Sequence, residues 1–251
     1  MPTPIEIILD PVSLVFIAIY SVAIFLEYIA PGRKQAKPMG WVARTLITFV
    51  GYFFLSAYLP LYWDQHLVQY QLFNLEDMGI YSSTLIAILV FELMIYIWHR
   101  TMHSSKWLWL TFHQLHHSAE RVDALGAFYF SPLDMIGFTF VGSLTLTVMV
   151  GLDPQAVTYF LYVTTFLAIF QHTNIQTPQW LGVFIQRPES HSIHHQKGVH
   201  AYNYSDLPIF DIIFGTFKNP KSFEGKIGFY DGASAKVGKM LVFRDISKQD
   251  Q

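Results

Sequence analysis

The chain has no cysteine and little charge. The first absence excludes a disulfide scaffold, a cysteine-ligated zinc finger, an iron–sulfur cluster and a thiol nucleophile. Only 14% of the 251 residues are charged, against about 25% in an ordinary soluble domain. Its 16 Lys and Arg face 18 Asp and Glu, and a net charge of −2 gives a nucleic acid no basic surface to bind. Apolar residues fill the composition instead: 52% are hydrophobic and 17% aromatic. Mean hydropathy is +0.33, too high for a disordered chain.

The apolar residues fall into five blocks, 12–30, 45–62, 79–98, 135–152 and 155–171. Each approaches the roughly 20 residues that cross a bilayer core. The predicted fold class is therefore all-α, a polytopic membrane bundle of four to five spans. The last two blocks are short and separated only by Asp153-Pro154, so they read equally as two spans or as a re-entrant hairpin. No basic residue precedes the first block, which therefore does not read as a secretory signal. Two domains are expected: 1–172 as the membrane unit, and 173–251 as a cytoplasmic cap and tail with β-structure near 228–243.

Sidedness follows from the basic residues. If every block crosses, residues 31–44, 99–134 and 172–251 share one side and carry all 16 Lys and Arg. The other side carries only acids: Glu6, Asp10, Asp64, Glu76, Asp77 and Asp153. The basic side is expected to be cytoplasmic, in a bacterial inner membrane or the endoplasmic reticulum, with the C-terminus on it. The six tryptophans (41, 63, 98, 107, 109 and 180) sit near block ends, as interfacial anchors do.

Ten of the 11 histidines lie between His99 and His200. They form HxxxH (His99, His103), HxxHH (His113, His116, His117), a single His172, and a second HxxHH (His191, His194, His195). Residues three and four apart share a helix face, so each box can aim two or three imidazoles at one point. His99 and His103 follow the third block and His172 ends the fifth, which puts distant boxes at one depth. Nine imidazoles are too many for one ion, and two ions is the natural count. His200, five residues after the last box, is a further metal candidate; His66, on the acidic side, reads as a packing residue. Imidazole suits iron, zinc, copper or nickel. The Glu-x-x-His pairs of soluble di-iron bundles do not occur.

Five polar residues accompany the boxes. Glu92 lies seven residues before His99 on the same face of the third block, and a carboxylate within a span faces the protein interior. Asp123, Asn174, Asn203 and Asp211 are candidates to orient ligand imidazoles through their free N–H.

The ordered boxes, followed by Asn203-Tyr204 and Asp211-Ile-Ile-Phe-Gly-Thr-Phe217, resemble the fatty acid hydroxylase/sterol desaturase superfamily over residues 91–217, about half the chain. The resemblance implies a membrane di-iron oxygenase with cytosolic histidine boxes. It also implies a ligand set of His99, His103, His113, His116, His117, His172, His191, His194 and His195. Two irons are the expected cofactor, with zinc as a substitute in purified protein. The sequence departs from the family at Phe210, where many members have Trp, and at Gln176, where fatty acid 2-hydroxylase-like members have a further His. No cytochrome b5-like segment is present, so a separate cytochrome b5- or ferredoxin-like donor is expected as partner, beside a lipid substrate from the bilayer. The expected activity is O2-dependent hydroxylation or desaturation of a sterol, fatty acyl or alkyl lipid. The competing readings are a metal transporter or storage protein, and an inactive lipid-binding relative.

Overall fold

A computed structural model describes residues 1–248; the last three residues of the expected tail, 249–251, lie outside the described residues. The main helices are α1 (Pro4–Leu9), α2 (Pro11–Ile29), α3 (Trp41–Leu67) and α4 (Ile80–Ser104). A helical run follows over 106–117, here α5, in which Trp109–His113 is a π-helical turn. Then come α6 (Pro132–Ser143, continued by a π segment Leu144–Met149), α7 (Pro154–His172), α8 (Pro188–His194), α9 (Ile209–Ile213) and α10 (Val237–Leu241). Four of these starts are written in sequence as a cap followed by proline. Thr3, Asp10, Ser131 and Asp153 accept from backbone N–H groups of the first turn at 3.3, 2.8, 3.1 and 2.7 Å, and proline occupies the position whose N–H would be unpaired anyway.

Four helical stretches are long and apolar enough to cross a membrane: Pro11–Ile29, Trp41–Tyr70, Ile80–Ser104 and Pro132–Met149. Along the first two only 11% of residues are fully buried, and Leu14, Val22, Phe25, Ile29, Ile47 and Val50 are exposed, as a lipid-facing surface requires. α7 is not among the four. Its partner is visible all the same. The turn between α6 and α7 is tied to the loop joining α3 and α4 by Leu72 N–H to the Val148 carbonyl (2.7 Å), Gly151 N–H to Phe73 (2.9 Å) and Leu75 N–H to Gly151 (2.8 Å). The hairpin therefore reaches as deep as that loop.

α3 packs chiefly on α6, and α7 packs on both α2 and α4. Aromatic rings fill the space between them. Tyr20 stacks on Phe49 at 4.2 Å, Tyr52 on Phe128 at 4.8 Å, and Phe130 meets the His116 ring at 4.9 Å. The hydrocarbon core thus runs up to the histidines. On their other flank the C-terminal segment packs Phe229, Met240 and Ile246 against Trp41 and Leu115. The β-structure expected near 228–243 is absent among the described residues. A 3-10 turn, Ala233–Ala235, and α10 stand there instead. The apolar residues of this stretch are spaced for packing onto α5, not for pairing in a sheet.

Candidate metal centre

The boxes converge. His99, His103, His113, His117 and His194 form one group, and His116, His172, His191 and His195 a second. Within each group the ligand atoms lie within 4.8 Å of one another. The groups adjoin: the His117 and His195 rings stack at 4.3 Å.

Helix geometry explains the division. Successive residues turn by about 100°, so i and i+4 project about 40° apart while i+3 and i+4 diverge by about 100°. The i,i+4 pairs His99/His103 and His113/His117 each enter the first group, and His191/His195 enters the second. The i+3 members cross over: His116 leaves its box for the second group and His194 leaves its own for the first. Each HxxHH therefore serves both groups. Of the two or three imidazoles a box can aim at one point, each HxxHH aims two and gives its third to the other group.

The outward nitrogens fix the inward ones. A carbonyl oxygen only accepts, so an imidazole nitrogen facing it carries the proton. His99 Nδ1 donates to the Tyr204 carbonyl (2.7 Å), His103 Nδ1 to that of His200 (2.9 Å) and His194 Nδ1 to that of Tyr202 (2.8 Å). His113 Nδ1 donates to Asp134 Oδ2 at 2.8 Å, and His172 Nδ1 to the Ala168 carbonyl at 2.7 Å. Each corresponding Nε2 is then a bare lone pair. Two such lone pairs, on His99 and His113, face each other at 2.8 Å, where no proton can join them. His103, His117 and His194 Nε2 are buried without a partner. In the second group His172 Nε2 lies 3.0 Å from His191 Nε2 and 3.2 Å from His116 Nε2.

In the first group such converging unprotonated nitrogens repel one another unless a cation lies among them, and in the second the other three imidazoles crowd within 4.8 Å of the bare His172 Nε2. The donor set therefore fits a metal in each group. Burial also pushes the His113, His116, His117, His191, His194 and His195 imidazoles well below their ordinary 6.5, which keeps them in the neutral form that ligates.

One loop supplies three of the anchoring carbonyls, at alternate positions 200, 202 and 204. To do so it holds His200, Tyr202 and Asn203 at φ of 41°, 70° and 52°. Non-glycine residues rarely adopt this left-handed region, Asn least reluctantly, and such strain persists only where the surroundings enforce it. The enforcement is visible. Asn203 Nδ2 donates to the carbonyls of Ser190 and Lys218 (2.8 and 2.9 Å), and its Oδ1 accepts from Lys218 N–H (2.8 Å). Asp211 accepts from Tyr204 and Ser205 N–H at 2.9 and 3.0 Å. Glu92, on α4, accepts from Asp206 and Leu207 N–H, both at 2.9 Å.

These contacts relocate the five polar candidates. Among the described residues none hydrogen-bonds an imidazole. Glu92, Asn203 and Asp211 act one step away, through the loop. Asp123 accepts from Trp41 Nε1 (3.1 Å) and Gly126 N–H (2.9 Å), and Asn174 donates to the Arg33 carbonyl (2.9 Å); neither is at the centre. His200 lies outside both groups and touches His117, whose Nδ1 is 3.1 Å from His200 Nδ1. His66 is exposed at the far end of α3.

Two functional residues escape the sequence reading. Asp134 carried a usable signal, being a lone carboxylate at the mouth of an apolar block, where acids face the interior. Arg187 carried none. It is fully buried ahead of α8, donating to Thr177, Asn219 and Pro220 at 2.7–2.9 Å and pairing with Glu189 at 3.1 Å. A buried charge so fully partnered fixes the helix that carries the last box.

The fatty acid hydroxylase family profile matches residues 84–216, a stretch that includes all nine of these histidines. The chain belongs to that family. Among curated proteins it is 30% identical over 136 residues to a very-long-chain aldehyde decarbonylase, GL1-9, of Oryza sativa subsp. indica, covering 53% of each chain. It is 29% identical over 160 residues to sphinganine C4-monooxygenase 2 of Arabidopsis thaliana, covering 62% of this chain and 61% of that one. It is 28% identical over 149 residues to cholesterol 25-hydroxylase of Rattus norvegicus, covering 55% of this chain and 47% of that one. The chain thus spans about half the length of the curated relatives it matches. No solved structure matches it.

Proposed function

We propose that this chain is a membrane lipid hydroxylase with a pair of irons, one in each histidine group. The observation that carries the reading is the two adjoining all-imidazole groups, buried at the end of an aromatic core inside a membrane bundle. The five-membered group would hold one iron through His99, His103, His113, His117 and His194, and the four-membered group the other through His116, His172, His191 and His195. Bound there, a di-iron pair supplies oxidation of an unactivated C–H bond by O2 and two electrons.

The chain's own residues do the rest. The carbonyls of His200, Tyr202 and Tyr204, with Asp134, keep the Nδ1 protons outward and the Nε2 lone pairs inward. Phe130 and its aromatic neighbours exclude water on the membrane side, and Phe229 and Met240 on the other. Residues 173–251 act as the cap that closes the centre, on the basic and cytoplasmic face of a membrane unit 1–172. Electrons come from a separate cytochrome b5- or ferredoxin-like donor. Hydroxylation is favoured over other oxidations because two of the relatives above carry it in their names, a monooxygenase and a sterol hydroxylase.

The test is turnover of a lipid panel (sterol, sphingoid base, fatty acyl and long-chain aldehyde) by iron-loaded protein with a reductase and 18O2. One labelled oxygen in the product means hydroxylation. A new double bond without label, or a hydrocarbon one carbon shorter, would replace it with desaturation or decarbonylation. No lipid-dependent O2 consumption with both metals bound would sink the enzyme reading.

A further inference from the structure

Two cavities outside the metal centre adjoin. The inner part is a slot of about 290 Å³ between α2 and α7, walled by apolar side chains from Val15 to Leu26 and from Phe166 to Ile175. The outer part is a polar mouth of about 420 Å³ that includes Arg33, Glu189 and Lys221. Thr173 and Ile175 line both, so the slot and the mouth are neighbours in one cleft between the same segments.

The dimensions match one leaflet. Val15 to Leu26 spans about 16 Å of helix at 1.5 Å per residue. Half of a hydrocarbon core is about 15 Å. The mouth begins just beyond the end of α2, at the depth of lipid head groups and on the side that carries the basic residues.

The mouth is built to present a cation. The Arg33 backbone is pinned: Gly32 N–H donates to the Asn174 carbonyl (2.6 Å), Gln176 Nε2 to that of Gly32 (3.2 Å) and Asn174 Nδ2 to that of Arg33 (2.9 Å). Only glycine fits at 32, because a Cβ there would stand 2.8 Å from the Ile175 carbonyl carbon. The Arg33 guanidinium lies over the Phe223 ring at 4.7 Å and, among the described residues, receives no hydrogen-bonding side chain. The one acid in the mouth is already engaged. Glu189 accepts from Thr177 N–H and Oγ1 at 2.8 and 2.7 Å and pairs with Arg187 at 3.1 Å. A half-buried guanidinium that makes no hydrogen bond among the described residues, with the Glu189 charge shared with Arg187 and with Lys221 in the same mouth, has donors to offer an anion with two or more oxygens.

We propose that this cleft seats an anionic bilayer lipid, its phosphate or carboxylate head held by Arg33 and Lys221 and one acyl chain lying in the slot between α2 and α7. The lipid packs against the outside of the second histidine group, since Thr173 follows His172 and Ser192 follows His191. This is a statement about binding. It stands whether or not the metal centre turns over.

The probe is phosphatidylglycerol with a diazirine in mid-chain, photolysed on the purified full-length protein without donor or substrate, and compared with phosphatidylcholine of identical chains. Label is expected on peptides covering 15–26 and 166–170. Phosphatidylglycerol should compete about tenfold better than phosphatidylcholine, whose phosphate carries its own choline cation and so gains less from Arg33 and Lys221. Lys221→Gln and Arg33→Gln should each remove that preference, lowering phosphatidylglycerol labelling more than phosphatidylcholine labelling; Lys221 is exposed, so its variant keeps the test open if the Arg33 variant folds poorly. Ala18→Trp, filling the slot from an exposed position, should abolish labelling by both lipids while metal content stays unchanged. Equal labelling by the two lipids, label scattered over the outer face of α3, or displacement of phosphatidylglycerol by millimolar inorganic phosphate would each overturn the proposal. The last outcome would leave a free-anion site in its place.

Discussion

Asp134 and His113 form a buried carboxylate–imidazole pair at 2.8 Å, made across the junction of α5 and α6. Ser131 sets it up. Its hydroxyl accepts from Asp134 N–H at 3.1 Å and donates to the Phe112 carbonyl at 2.9 Å, so the cap of α6 also grips the π turn that carries His113. The four other anchored Nδ1 atoms described above meet backbone carbonyls. His113 alone of the five meets a side-chain carboxyl oxygen.

Replacing Asp134 should therefore weaken metal binding beyond the loss of one hydrogen bond. Outer partners of ligating histidines typically contribute 10–100-fold in metal affinity. Asp134→Ala is expected to fall about that far in a chelator competition. Asp134→Asn, which still offers an oxygen to Nδ1–H, should fall less. Retention of metal by Asp134→Ala at the level of the unaltered protein would show the pair to be incidental.

How much of this was legible in the sequence depends on what carries the information. The boxes were legible because i,i+4 spacing is a local pattern that a helix preserves. The exchange of His116 and His194 between groups was not. It depends on where α5 and α8 stand relative to each other, which no local pattern records. The loop carbonyls were invisible for a different reason: a backbone oxygen has no residue identity. Only Asn203 hinted at the strained turn. Asp211 reads from sequence as a partner of the rings and holds the loop instead, whereas Glu92 reads only as an interior-facing carboxylate and its loop partners leave no sequence signal. The tail at 228–243 was misread because its apolar spacing reports packing onto α5 and not a strand period.

His172 enters the second group from α7, whereas the other three members come from α5, α8 and the residue after it. Its loss should leave three imidazoles in that group and five in the first. His172→Ala is expected to retain about one metal per chain instead of two, by elemental analysis, and to lose turnover. His66→Ala, at an exposed position far from both groups, should retain two. A His172→Ala protein with two metals and normal turnover would return His172 to the packing residues.

Sidedness can be tested directly because the chain has no cysteine of its own. Single cysteines at Lys34 and Lys221 should react with a membrane-impermeant maleimide only when the cytoplasmic face is exposed. A cysteine at Gln69 or Tyr70, in the loop between α3 and α4, should react only from the opposite face. Labelling of residue 70 together with residue 221 from one side would overturn the bundle's orientation.

Removing the metals should loosen one loop before it loosens the helices. The carbonyls of His200, Tyr202 and Tyr204 are held by N–H groups of three imidazoles whose opposite nitrogens face one another or are buried without a partner. Without a cation those rings gain by turning away from each other, and turning breaks the bonds to the loop. The loop then has less to hold its three left-handed residues, each costing about 1–3 kcal/mol. Asn203, Asp211 and Glu92 still grip it, so it should relax without unfolding the bundle. Hydrogen exchange after chelation is expected to rise across 196–206 and 113–118 and to stay unchanged in α2 and α3, with re-addition of metal restoring protection. Equal exchange in the two states would mean that the protein matrix alone fixes the imidazoles, and that the metals merely occupy a site already held open.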